Sequence, residues 1–107
     1  MPQINALTTK YHWTDHAKEK MRYYNLSESR LKRVFRHPSR KEEGVAENTI
    51  ACMQKAGSPK HPYEVWLMFQ SKHDTIFIIS AWRYPGTSPV GGKVPIPEDI
   101  ISELKLG

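Results

Sequence analysis

The stretch YEVWLMFQSKHDTIFIISAWRY, Tyr63 to Tyr84, decides the fold. Two runs rich in β-branched and aromatic residues flank a polar Lys72-His73-Asp74, which reads as two antiparallel strands of one hairpin, residues 63–71 and 75–84. In the second, Ile76, Ile78 and Trp82 lie on one parity and Phe77, Ile79 and Ala81 on the other, so the strand is expected to be central and covered on both faces. The connection allows an even or an odd loop, and a one-residue slip exchanges the faces, so the register stays open.

Upstream, residues 48–55 alternate as a third strand, and AGSPKHP, Ala56 to Pro62, is a turn. Before residue 44 the period is helical. Thr14 or Asp15 can cap a helix through His16–Tyr24 with Ala17, Met21 and Tyr24 as its inward stripe, and Asn25 can end it. Ser27 caps a second helix that Pro38 stops. Leu26 before the cap and Leu31 after it form a hydrophobic staple, and Leu31, Val34 and Phe35 face inward. Downstream, residues 85–107 read as a loop and a short helix. Pro97 stands at its first turn, Glu98 and Asp99 near its positive end, Lys105 near its negative end, and Ile100, Ile101 and Leu104 dock on the sheet. The expected fold class is α+β: two N-terminal helices on a three- or four-stranded antiparallel sheet, with a short C-terminal helix.

The chain of 107 residues suits one domain over 1–107. Sixteen Lys and Arg against eleven Asp and Glu give +5, which suits nucleic acid or an acidic protein. The excess is local. Between Lys10 and Lys41 stand ten basic residues, Arg22, Arg33 and Arg36 among them, against only Asp15, Glu19 and Glu28, so the helical part is the basic part. No apolar run reaches the roughly 20 residues of a membrane span, and MPQINALTTK lacks the order of a secretory signal, so no membrane partner is expected. The lone Cys52 fits a buried side chain in a reducing compartment, and the cytoplasm is the expected location.

The order T-D-H-A-K-E-K-M (Thr14–Met21), then N-L-S, a basic helix ending at His37-Pro38, and a strand ending I-I-S-A-W resembles the family of domains of unknown function numbered 4258. Its members show H-A-x-x-R-M, then R-G-I-[ST], then strands near a T-x-[YW] tail. The resemblance spans about residues 11–84, and that family looks like a branch of the fold shared by barnase, EndoU, colicin nucleases and RelE-type toxins. It implies helices on one face of an antiparallel sheet and substrate on the other, and a metal-independent ribonuclease, often half of a toxin–antitoxin pair. This chain carries Lys20 where the family prefers arginine, which keeps the charge but not the planar fork. It carries Tyr24-Asn25 where the family has a second arginine before its glycine.

Such cleavage needs a base, an acid and a cation for charge growing on the phosphate. His16 is the candidate proton-transfer group, Lys20 one turn on its electrostatic helper, and Arg83 a guanidinium brought from the last strand. Arg22, Arg33 and Arg36 are candidates for the phosphate backbone, and Trp82 and Tyr84, with Trp66 and Tyr63 near them, for stacking on bases. Each has a plainer reading. His16 can organise the helix–sheet junction, Lys20 can be solvated, Arg83 can cap a strand end, and the tryptophans can pack the core. RNA and an acidic antitoxin are the expected partners of a catalytic domain; the alternative is a non-catalytic protein- or nucleic-acid-binding domain of the same fold. His12 and His16 have the spacing of a metal pair, but no acidic or cysteine partner has ligand spacing, and no metal or cofactor is expected. GTSPVGGK lacks the full phosphate-loop pattern and reads as a linker.

Overall fold

The computed structural model describes residues 9–104; residues 1–8 of the opening segment read for a signal, and Lys105, lie outside them. The fold is α+β, with strands β1 (Lys10–Trp13), β2 (Arg40–Glu43), β3 (Ile50–Gly57), β4 (Pro62–Lys72) and β5 (Thr75–Pro85), and helices α1 (Asp15–Tyr24), α2 (Glu28–Arg36) and α3 (Glu98–Glu103). The sheet corrects the sequence expectation. It has five strands, not three or four, in the order β1-β5-β4-β3-β2, and it is mixed, because β1 runs parallel to β5.

Both unforeseen strands are four residues long and lie at the edges. In β1 the signal was the alternation Tyr11, Trp13, whose rings stack at 5.9 Å while Tyr11 meets Phe35 edge-on. In β2 there was no apolar signal at all, since it reads Arg-Lys-Glu-Glu. Its conformation comes from pairing with β3 and from Arg40, whose guanidinium lies 5.1 Å over the Trp66 ring.

The hairpin register is settled by a two-residue turn at His73-Asp74, with His73 in the left-handed region (φ 58°) between paired Lys72 and Thr75. Trp66 then faces Trp82 and Glu64 faces Tyr84. Met68 pairs with Ser80 but Phe69 with Ile78, so Ile79 is an extra residue, a bulge that switches the facing parity of β5 midway. That explains a strand apolar on both parities. Val65, Leu67, Phe69, Ile76, Ile78 and Ala81 pack with Ala17, Met21, Leu26, Leu31 and Val34 of the helical layer. Ala51, Met53, Trp66, Met68 and Trp82 form the other face, under Val94, Ile96 and Ile100 of the C-terminal segment.

Local capping follows the sequence closely. Thr14 Oγ1 accepts from Ala17 N, Asn25 closes α1 in the left-handed region, and Ser27 accepts from Arg30 N. Thr14 also donates to Ile78 O at 3.0 Å and so stops β1 while starting α1. From there α1 takes the place of β1 beside β5: His16 reaches Ser80, and Arg83 reaches the carbonyls of Tyr24 and Asn25. One flank of α1 therefore serves the helical core and the other meets α3. No described helix is long and apolar enough to cross a membrane.

Candidate functional site

His16, Lys20 and Tyr24 stand at i, i+4 and i+8 and form one row along α1, while Asp99 and Glu103 stand at i and i+4 on α3. The two rows interlock. Lys20 Nζ donates to Asp99 Oδ2 at 2.8 Å and lies 2.7 Å from Glu103 Oε2, and Tyr24 OH donates to Asp99 Oδ1 at 2.9 Å. His16 Nδ1 lies 3.6 Å from Glu103 Oε2, and its Nε2 is 2.9 Å from Ser80 Oγ. Lys20 is only 3% exposed, so the residue whose plainer reading was a solvated lysine is a buried cation held by two carboxylates.

The electrostatics follow from that enclosure. Burial lowers the His16 pKa from its ordinary 6.5, with Glu103 opposing and Lys20 reinforcing, so the ring is neutral at neutral pH. We assign Nε2 as acceptor of the Ser80 hydroxyl, with Nδ1–H turned toward Glu103. Burial pulls Lys20 down, but hydrogen bonds to Asp99 and Glu103 outweigh it and raise the pKa above 10.5. Burial pushes Asp99 up, but Lys20 and Tyr24 outweigh it and hold the carboxyl below its ordinary 3.8.

These shifts predict a pH profile for stability. The depressed His16 favours the fold above about pH 6.5 and loses that contribution as pH falls through its folded value. Asp99 adds a second loss below about 3.8, and Lys20 a loss above about 10.5 as its proton leaves. The thermal midpoint should therefore plateau between roughly 6.5 and 9, the upper edge set by the buried Cys52 thiol, raised from its ordinary 9.0, with Lys20 adding its loss higher, and His16→Gln should remove the first acid shoulder while leaving the second. Melting by circular dichroism across pH checks this.

Ser80, His16 and Glu103 reproduce the order of a hydroxyl–imidazole–carboxylate relay. Ser80 is 0% exposed, however, so its hydroxyl reaches no substrate in this arrangement. His16 retains some access, with 18% of its side chain exposed, and can exchange a proton with solvent.

The third residue of the expected trio is elsewhere. Arg83 Nε donates to Tyr24 O at 2.7 Å and Nη2 to Asn25 O at 3.0 Å, and its guanidinium lies 4.9 Å over the Tyr63 ring. It closes the C-terminus of α1, about 12 Å along the helix from His16. His16 and Lys20 are brought together; Arg83 is not brought to them. Trp82 is fully buried and stacks on Trp66 at 6.0 Å, and Tyr84 is half-buried beside Tyr24, Pro95 and Pro97. Arg22, Arg33 and Arg36 are exposed, and no ion pair involves them among the described residues.

Sequence reasoning missed two polar centres. One is the Asp99–Glu103 pair, whose i, i+4 spacing mirrors that of Lys20 and Tyr24. The other is Glu64, 1% exposed, which accepts from Trp66 Nε1 at 2.9 Å, Ser88 N at 3.0 Å and Ser88 Oγ at 2.7 Å. Arg40 Nη2 donates to the same Ser88 Oγ at 2.9 Å, so the C-terminal segment is pinned at Ser88 as well as at α3. Alternation of Glu64 with Val65 and Leu67 in a buried strand was its one sequence signal.

Burial pushes the Cys52 thiol up to about 12, with Lys41 opposing, so it is no nucleophile. Among the described residues no three His, Cys, Asp or Glu side chains gather to hold a metal ion; His12 lies against the Phe77 ring, and His61 and His73 sit in turns. Comparison of the chain with family models, with curated proteins and with solved structures finds no match.

Proposed function

We propose that this domain binds RNA through the solvent side of α1 and α2, and that the His16–Lys20–Tyr24 row docks the C-terminal helix. The observation that carries the reading is the division among its cations. Lys20 and Arg83 are bound within the fold, whereas Arg22, Arg33 and Arg36 are exposed with no acidic partner among the described residues. Exposed arginines on one layer supply the sequence-independent phosphate attraction that dominates RNA affinity. The same surface suits an acidic protein such as an antitoxin, and the cytoplasm is the setting that Cys52 favours. The resemblance to nuclease-related families adds to the choice of RNA.

Binding should be read by fluorescence anisotropy with a labelled single-stranded RNA at several salt concentrations. The Arg22→Ala/Arg33→Ala/Arg36→Ala variant should weaken binding and flatten the log–log salt slope by about 2, three contacts at about 0.7 each. An unchanged slope would sink the reading.

One observation favours a second reading, that of a metal-independent ribonuclease. His16 is neutral, partly accessible and flanked by Glu103, which suits a general base once Nε2 gives up its bond to the Ser80 hydroxyl. RNA cleavage that survives EDTA and disappears in a folded His16→Ala variant would establish it, whereas binding without cleavage would leave the domain as a binding module.

A further inference from the structure

Tyr63 of β4, Arg83 of β5 and Arg30 of α2 come from three elements and meet on the helical face of the sheet, at the C-terminus of α1. Tyr63 packs against the helical core, and the Arg83 guanidinium lies 4.9 Å over its ring. Two carbonyls at the end of α1 orient Arg83 but carry no full charge, and no ion pair involves Arg83 or Arg30 among the described residues. Arg30 is half-buried, and its Nε is enclosed without a hydrogen-bond partner among the described residues. The carboxylates nearest in sequence face elsewhere. Glu28 lines the cleft beside Lys18 and Arg22, and Glu64 is buried with Trp66 and Ser88 on the other face of the sheet. The Arg83 guanidinium, and after it that of Arg30, stabilises the Tyr63 phenolate and holds its pKa below the ordinary 10.0, against the push of burial.

We propose that this junction seats one phosphate group of the RNA strand, with the Arg30 and Arg83 guanidiniums and the Tyr63 hydroxyl donating to its oxygens. The seat rests on the RNA reading above and adds to it a contact that Arg22, Arg33 and Arg36 do not make. Two guanidiniums that converge on one phenol with no acid between them repel each other, and a bound anion relieves that repulsion. Phosphate suits the place better than carboxylate. Donors arriving from three elements match oxygens set tetrahedrally around phosphorus, whereas a carboxylate offers two oxygens in one plane. The position also continues the exposed row, because Arg33 follows Arg30 at i+3 on α2 and the two are neighbours along the path of one strand.

The test uses the full chain and a labelled single-stranded RNA, read by anisotropy across a salt series, with variants that spare Arg83 and so leave the end of α1 closed. Arg30→Gln should weaken binding about tenfold and flatten the log–log salt slope by about 0.7, one contact. Tyr63→Phe should weaken it about fivefold with the slope unchanged, since it removes a donor and no charge. Arg30→Lys should return the native slope but not the native affinity, because the charge is kept and the fork is lost. Native affinity in both Arg30→Gln and Tyr63→Phe, with the slope still reduced in the Arg22/Arg33/Arg36 variant, overturns the seat and leaves the RNA reading standing. Absence of RNA binding by the native chain overturns both. A polyglutamate peptide that displaces the RNA at equal charge concentration, and loses that ability in Tyr63→Phe, overturns the choice of phosphate.

Discussion

Replacing Lys20 by alanine will destabilise the domain by about 2–3 kcal/mol, because it leaves two carboxylates facing each other without the cation between them. The full penalty for breaking a buried pair is about 3–5 kcal/mol, but Asp99 and Glu103 keep about a third of their side-chain surface in water, which softens it. The same change removes the ammonium that lies 4.9 Å over the Tyr23 ring. Two further variants separate charge from packing. Lys20→Met keeps the volume and should still lose about 1–2 kcal/mol while both acids remain. Combined with Asp99→Asn and Glu103→Gln, it should recover most of that loss. Denaturant unfolding of the set gives the coupling, and additive effects would show that the row does not act as a unit.

The second large effect lies under the C-terminal segment. Trp82→Ala should cost about 3–5 kcal/mol, since its ring is wholly buried and its loss leaves a cavity in the core layer it shares with Trp66, Met68 and Ile100. The two stacked tryptophans should respond differently to phenylalanine. Trp82 Nε1 is buried without a hydrogen-bond partner among the described residues, so Trp82→Phe gives up ring area but also removes an unmet donor. Trp66 Nε1 donates to buried Glu64 at 2.9 Å. Trp66→Phe therefore takes a donor from a buried carboxylate, and should exceed the Trp82→Phe cost by about 1–2 kcal/mol. Equal costs for the two phenylalanine variants would contradict this account of the Glu64–Ser88 anchor.

What the sequence made legible divides along the range of the interactions. Caps are local, and Thr14, Asn25, Ser27 and the Leu26–Leu31 staple stand where their residue types put them. The strands of the hairpin were legible from their apolar runs, but the register was not, because it depends on the His73 turn and the Ile79 bulge. β2 could not be read, since pairing with β3, and not its own four charged residues, makes it a strand. The same limit applies to the site. His16 and Lys20 were placed on one helix face by spacing alone, whereas the carboxylates that take up Lys20 are 79 and 83 positions further on, in a segment whose docking only the fold determines. Arg83 was legible as a strand-end cation, but the readings left open were a strand-end cap and a phosphate ligand, and its closing of α1 was not among them.

The most direct test of the division between binding arginines and docking row is an amide-shift titration of the protein with a single-stranded RNA at moderate salt. The account predicts perturbations on the solvent side of α1 and α2, centred on Arg22, Arg33 and Arg36, with His16, Ser80 and α3 unmoved. Perturbations centred instead on His16, Ser80 and Glu103 would contradict it and make the His16–Lys20 cluster the place where RNA is held.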